Sequence, residues 1–192
     1  MIRDVLSYFF QAARIALYVF LSGGAGEVKG RPKLRQPLVY KGSGFIRFGR
    51  GVTIGFENSP LFFSTYAYIE ARNKSALISI GSDCWFNNGL TIVAEHKSIT
   101  IGNRVLIGTN VEIFDSDFHG KLVMDRNKSE YEWARDVIIG DDVFIGSGAR
   151  ILKGAKIGSG AIIAAGSVIT GNIPPNVIAA GNPGLVIKGI GI

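Results

Sequence analysis

Isoleucine recurs at every sixth position through the C-terminal half of the chain: Ile139, Ile145, Ile151, Ile157, Ile163 and Ile169. The next residue is often glycine (Gly140, Gly146, Gly158), and the fourth after the isoleucine is small or valine (Val143, Ala149, Ala155, Ala161, Ser167). The same register holds at Ile101, Ile107 and Ile113, again at Ile80, Phe86 and Ile92, and more faintly at Phe48 and Ile54. A period of six does not wind onto a helix, whose faces repeat every ~3.6 residues, but it suits a short strand of alternating inward and outward residues followed by a corner where glycine tolerates the backbone. Each hexapeptide then forms one side of a polygon. Isoleucine stacks on isoleucine from coil to coil, and the pattern predicts an all-β solenoid of parallel strands with an apolar ladder as its core.

The N-terminus follows another rule. Residues Met1 to Leu21 are apolar with Arg3, Asp4, Gln11 and Arg14 interspersed, and the longest uncharged apolar run, Ile15 to Leu21, is seven residues. That is far below the ~20 needed to span a bilayer, and the charges are not gathered ahead of the run as in an export signal. The segment, taken as residues 1–27, predicts an amphipathic helix ended by Gly23-Gly24, either packed on its own domain or a sister subunit, or lying on a membrane surface. Between Glu27 and Glu57 there is no acidic residue, while Lys29, Arg31, Lys33, Arg35, Lys41, Arg47 and Arg50 are basic. Such a segment suits anionic headgroups or phosphates, or is a solvated rim.

Composition narrows the classes. The 192 residues fit one domain with an appendage, and 26 glycines reflect the repeated corner. The formal charge of +6 is spread thinly, with 19% charged residues, unlike most nucleic-acid binders. One cysteine excludes an internal disulfide framework, and with only two histidines a zinc site of three or four N/S ligands within one chain is not expected. Cys84 falls on the small interior position of the unit that starts at Ile80, which reads as a core thiol rather than a nucleophile.

Residues that break a regular register are better functional candidates than those that keep it. In the unit beginning at Ile113 the small fourth position is Asp117, and two residues on comes His119, in the run Phe114-Asp115-Ser116-Asp117-Phe118-His119-Gly120. A carboxylate near an imidazole at the mouth of a loop is the arrangement a general base needs. His96, with Glu95 and Lys97, reads as a solvated turn, contact with an acceptor being the other option.

Taken together, the repeat resembles the hexapeptide-repeat acyltransferases, whose fold is a left-handed parallel β-helix with three hexapeptides per coil. Eighteen residues per coil then accounts for Ile80 to Ile101 as a coil plus three, and makes His119 to Asp136 an excursion from a solenoid covering 28–173, with a C-terminal cap over 174–192. The resemblance sharpens toward sugar O-acetyltransferases, such as the galactoside and maltose enzymes and polysaccharide-modifying relatives. It is carried by Leu90-Thr91-Ile92-Val93, Ile101-Gly102-Asn103, the His119 excursion, Val143-Phe144-Ile145-Gly146-Ser147, and Ile173-Pro174-Pro175-Asn176-Val177 to Gly181-Asn182-Pro183.

What the resemblance implies is direct acetyl transfer from acetyl-CoA to a sugar or glycan hydroxyl, without a metal. His119 would be the catalytic base, with Asp117 or a nearby carbonyl orienting it. Asn87 or Asn88 would meet the acceptor. Beside that corner, Trp85 reads either as stacking on a sugar ring or as packing at a subunit boundary, and Asp115 as a further acceptor contact. Phe144 would lie beside the thioester, Gly146, Ser147, Ala165 and Thr170 would line the pantetheine, and Lys188 would meet coenzyme phosphate. Two positions depart from the pattern: Gly171 and Leu185 stand where basic residues are often found, leaving phosphate to Lys153, Lys156 or the basic segment. The resemblance also implies a homotrimer with sites between subunits. A cytoplasmic supply of acetyl-CoA and the lack of a credible export signal place the expected protein in the cytoplasm or on the inner face of its membrane. Pro174-Pro175 is expected to turn the chain off the last coil, with a cis bond as one way of doing so. The alternatives are an N-acetyltransferase on an amino sugar, a non-catalytic β-helix scaffold, and a zinc hydrase, which would need three histidines where two exist.

Overall fold

The computed structural model describes residues 2–23 and 26–191, and for Arg3 and Asp4 the backbone alone. Helix α1 (Ile2–Leu21) precedes a stack of coils, each made of three short strands. The first coil is β1 (Glu27–Lys29), β2 (Lys33–Leu34) and β3 (Leu38–Gly42), and the second is β4 (Phe45–Phe48), β5 (Thr53–Ile54) and β6 (Ala67–Ala71). Then come β7 (Leu77–Ile80), β8 (Trp85–Phe86) and β9 (Thr91–Ala94), followed by β10 (Ser98–Ile101), β11 (Leu106–Ile107) and β12 (Glu112–Phe114). After an excursion the stack resumes with β13 (Val137–Ile139), β14 (Phe144–Ile145) and β15 (Arg150–Ile151), then β16 (Lys156–Ile157), β17 (Ile162–Ile163) and β18 (Val168–Ile169). It closes with β19 (Asn172–Ile173), β20 (Val177–Gly181) and β21 (Gly184–Gly189).

Every third strand pairs in parallel, so the coils stack into three sheets that form the sides of a left-handed triangular prism. The first sheet runs β1-β4-β7-β10-β13-β16-β19, the second β2-β5-β8-β11-β14-β17-β20-β21, and the third β3-β6-β9-β12-β15-β18. Register places the repeat residues in continuous inner columns: Phe48, Ile80, Ile101, Ile139, Ile157 and Ile173 on the first side. Ile54, Phe86, Ile107, Ile145 and Ile163 line the second, and Ile69, Ile92, Ile113, Ile151 and Ile169 the third. All are buried and belong to one apolar cluster. At ~1.5–3 kcal/mol per fully buried side chain of this kind, the ladder is the main favourable term of the fold.

Ile101 pairs directly with Ile139, so the chain leaves the prism after β12 and returns at β13 without missing a coil. The segment between them carries two short 3-10 turns, Val123–Asp125 and Tyr131–Trp133. Two expectations are corrected. Pro174-Pro175 does not lead the chain off the solenoid: it forms the corner between β19 and β20, and β20 still pairs in parallel with β17. The chain reverses later, where β21 folds back antiparallel on β20, and the cis peptide is Asn182-Pro183. The N-terminal helix ends at Leu21, Ser22 N closing on the Tyr18 carbonyl at 2.9 Å. Gly24 of the expected Gly23-Gly24 stop lies outside the described residues.

Candidate active site

His119 stands exposed at the corner where the third sheet hands the chain to the first, at the start of the excursion. Its Nδ1 lies 3.0 Å from the Gly120 carbonyl oxygen. A carbonyl oxygen can only accept, so Nδ1 carries the proton and the lone pair resides on Nε2. The ring opens onto a pocket of about 350 Å³ lined by Asp117, Leu122, Trp133, Arg135 and Lys153 among others.

Asp117 does not orient the imidazole. Its Oδ2 pairs with Lys153 Nζ at 2.6 Å, and the same ammonium donates to the Trp133 carbonyl at 2.9 Å. Lys153 thus ties the base of the excursion, at Asp117, to its far limb, at Trp133. The alternative of a nearby carbonyl holds instead, in Gly120. Lys153 is also committed here rather than free for a phosphate.

Asp115 is a correction of a different kind. It is 0% exposed, and its carboxylate accepts the backbone N–H groups of Glu95 (2.6 Å), His96 (2.9 Å) and Lys97 (2.7 Å). With both oxygens spent on that turn it meets no acceptor. The turn it holds is not a solvated one: His96 is largely covered, its Nδ1 3.1 Å from Asn73 Nδ2 and its ring edge-on to Tyr131. Glu95 lies buried beside it, taking Ser129 Oγ at 2.6 Å and Arg72 Nη1 at 3.4 Å. Burial pushes the Glu95 carboxyl up, but hydrogen bonds from Ser116 and Ser129 and the nearby His96 and Arg72 outweigh it, leaving the group below its ordinary value.

A second group of residues assembles on the outer face of the second sheet. Trp85, Leu106, Phe144, Ile162 and Ile178 are successive partners across β8, β11, β14, β17 and β20, and Lys188 of β21 pairs opposite Ile178. With strands ~4.8 Å apart, Lys188 stands roughly 14 Å from Phe144 along one apolar row. Trp85 is 41% and Phe144 44% exposed. Phe56 packs edge-on to the Trp85 ring at 5.9 Å, and the Arg35 guanidinium carbon lies 5.9 Å from the ring centroid. A groove of about 340 Å³ lies here, lined by Phe56, Trp85, Asn87, Leu106, Phe144 and Ser147 among others.

The corner between the second and third sheets separates Asn87 from Asn88. Asn87 lines the groove, its Nδ2 donating to Ser59 Oγ at 3.0 Å. Asn88 is 0% exposed. Its Nδ2 donates to the carbonyls of Phe56 (2.9 Å) and Pro60 (2.8 Å), and its Oδ1 accepts Phe56 N at 3.0 Å, so it pins the preceding loop and has nothing left for a ligand. Gly146 is likewise buried between coils: a Cβ there would sit 2.8 Å from Ala165 Cα, so it lines no groove. Ser147 and Ala165 are exposed along this corner, with Gly166 N donating to the Ser147 carbonyl at 2.9 Å. Thr170 is exposed but follows β18 on the other corner, with Lys153 and His119, and does not join them. Cys84 is buried, and burial pushes its thiol up, away from the reactive thiolate.

The chain therefore holds two separate pockets on different edges of the prism, one with His119 and one with Asn87, Trp85, Phe144 and Ser147, which share no lining residue. Nothing in the sequence marks Lys153, Trp133 and Arg135 as neighbours of His119, because the first keeps the repeat register and the others lie in the excursion. Among the described residues no three His, Cys, Asp or Glu side chains converge as a metal site would need.

Comparison with known proteins agrees with this architecture. Residues 136–171 match the family model "Bacterial transferase hexapeptide (six repeats)". No curated protein matches the chain. Among solved structures, the polySia-specific acetyltransferase NeuO is 26% identical with a TM-score of 0.66, covering 89% of this chain and 86% of its own. Galactoside acetyltransferase in complex with coenzyme A is 28% identical with a TM-score of 0.56, covering 98% and 78%. The hexapeptide-repeat-containing acetyltransferase VCA0836 from Vibrio cholerae O1 biovar eltor, solved with acetyl coenzyme A, shares the fold at 22% identity and a TM-score of 0.54, covering 94% and 78%. The resemblance drawn from the repeat is thus borne out, and the chain has the architecture of the hexapeptide-repeat acyltransferases.

Proposed function

We propose that this chain is an acetyl-CoA-dependent acyltransferase that acetylates a hydroxyl of a sugar within a glycan or its precursor, with His119 as general base. The observation that carries the reading is the placement of His119 at the edge of a pocket with its Nδ1 3.0 Å from the Gly120 carbonyl oxygen, a contact that leaves the Nε2 lone pair for a proton. Nε2 takes the hydroxyl proton while the sugar oxygen attacks the thioester carbonyl carbon. The tetrahedral oxyanion collapses, the C–S bond breaks, and the imidazolium returns the proton to the departing thiolate, so His119 ends as it began. Supporting the donor assignment, the row from Trp85 through Phe144 is an apolar track for a pantetheine arm and ends at Lys188, a cation for phosphate. Asn87 is a polar side chain lining the same groove, and we assign it to an acceptor hydroxyl.

Because the two pockets occupy different edges of one prism, we place the working site between subunits of a homotrimer, the excursion of one chain reaching the groove of the next. A donor made in the cytoplasm puts the reaction there, in the synthesis or modification of a polysaccharide. The test is release of CoA thiol from acetyl-CoA across a panel of glycans, glycolipids and amino sugars, run with His119→Ala. Positioned acid–base groups contribute ~10²–10⁴-fold, so the variant should lose turnover in that range while still binding CoA. Unchanged turnover would remove His119 from the mechanism. Release with amino sugars alone would make the enzyme an N-acetyltransferase, and neither release nor CoA binding would leave a scaffold.

A further inference from the structure

Helix α1 is held to the solenoid largely by polar groups. Beside Ile15 and Tyr18, which packs on Tyr66, Gln11 is buried and its Nε2 donates to the carbonyls of Arg35 (2.9 Å) and Phe62 (3.2 Å). Arg14 donates through Nη1 to the Phe62 carbonyl at 3.1 Å and through Nη2 to that of Thr65 at 2.7 Å. Just past the helix, Ser22 Oγ donates to the Tyr18 carbonyl and accepts Tyr40 N, at 2.9 and 3.0 Å. The opposite face carries Leu6, Phe9, Leu17 and Phe20 in the open, Phe9 64% and Phe20 84% exposed. A helix on the surface of a water-soluble domain normally turns its apolar stripe inward. Here the inward polar bonds fix the helix along the end of the prism, and the apolar face is left outside as a continuous patch of the sort that marks an interaction surface.

The charges around the helix say what covers that face. From residue 28 through 56 there is no acid and there are seven bases, and Lys29, Arg31, Lys33, Arg47 and Arg50 are exposed on the first two coils. Lys33 lines the cleft beneath Ser7, Ala12 and Ala16 of α1, and Lys41 Nζ reaches the Leu21 carbonyl at 3.4 Å, so cations flank the helix toward both ends. A second copy of this face would bring these like charges together, whereas an anionic lipid surface offers both an acyl layer and negative phosphates. No described helix is long and apolar enough to cross a membrane.

We propose that α1 lies flat in the headgroup region of an anionic bilayer, its Leu6–Phe20 face inserted and the bases of the first coils against lipid phosphates. This docks one end of the prism on the membrane with its three sides standing away from it. The inference does not depend on which reaction the enzyme catalyses.

The test is co-sedimentation of the full chain with phosphatidylcholine vesicles, with and without phosphatidylglycerol. Binding should need phosphatidylglycerol and weaken with salt. Leu17→Glu with Phe20→Glu should lower it at least about tenfold, since acidic residues enter the acyl boundary at high cost. Arg31→Glu with Lys33→Glu should lower it by at least about tenfold as well. Far-UV circular dichroism and melting of both variants should match the parent, because the altered side chains face outward. Absence of vesicle binding by the folded parent overturns the proposal, as does binding that the Leu17/Phe20 variant retains. Loss of oligomer mass in that variant, in a protein that ignores vesicles, would mean that another copy covers the face instead.

Discussion

A carboxylate removed from water has to be bonded fully by its surroundings, and two neighbouring acids show the two outcomes. Asp115 is saturated by three backbone N–H groups of the 95–97 turn and serves only to hold it. Glu95 is held below its ordinary value of 4.5, the hydrogen bonds and cations around it outweighing burial. A carboxyl whose folded value is depressed stabilises the native state in full above its unfolded value, and that contribution fades as pH falls through the folded one. Glu95→Gln should therefore be less stable than the parent above about pH 4.5, with the gap narrowing on acidification. Urea unfolding at a series of pH values checks this, and a gap that stays constant with pH would rule out the ionised Glu95 as its source. Neither role was visible in the sequence. Asp115 lies in the same short run as His119, which made a substrate contact plausible, but its partners are backbone groups some twenty residues away, and spacing carries no trace of them.

Elements repeat the lesson with more success. The hexapeptide period is legible because every coil needs the same two things at the same place, a branched side chain inward and a corner without crowding, and Ile-Gly supplies both. Gly102 shows the second requirement: a Cβ there would sit 2.6 Å from the Gly140 carbonyl carbon of the next coil, against backbone that cannot yield. Gly171 stands free, with nothing within 4 Å of such a Cβ. Gly102→Ala should cost about 1–3 kcal/mol, the usual penalty of overpacking, while Gly171→Ala should leave stability near the parent's. Chemical denaturation of the two variants side by side decides it, and equal midpoints would refute the coil-contact argument. Sequence period also placed a helix at the N-terminus, but a stripe has two sides, and nothing in Gln11 or Arg14 as letters says that they face the protein. That information lies in the carbonyls of Arg35, Phe62 and Thr65, which close on them only after the first coils form. The choice between Asn87 and Asn88 was undecidable for a similar reason: adjacent residues at a corner point to opposite sides, and the loop before Pro60 claims one of them.

At the scale of the molecule, the arrangement of edges makes the last prediction. His119 follows the third sheet, and Asn87, Trp85, Phe144 and Ser147 belong to the second sheet and the corner that follows it, so each copy presents the imidazole at one edge and a groove at another. If the proposed reaction uses both, a base and a groove from different chains must meet, and inactive chains should repair one another. His119→Ala leaves a chain with an intact groove. Phe144→Asp puts a charge into the apolar row and leaves a chain with an intact base. Phe144 is outward-facing and half exposed, so the second variant keeps the buried ladder. Each homogeneous protein should turn over at least about a hundredfold more slowly than the parent, while sedimenting at three times the 20.6 kDa chain mass. When the two are mixed, unfolded together and refolded, hybrid oligomers contain interfaces where a native His119 faces a native groove. CoA release should reappear, most strongly near equal proportions of the two chains. A site complete within one chain gives no such rescue at any ratio, because every subunit would still lack one half. Recovery that appears without subunit exchange would point to contaminating parent enzyme, which a mixture kept folded throughout exposes.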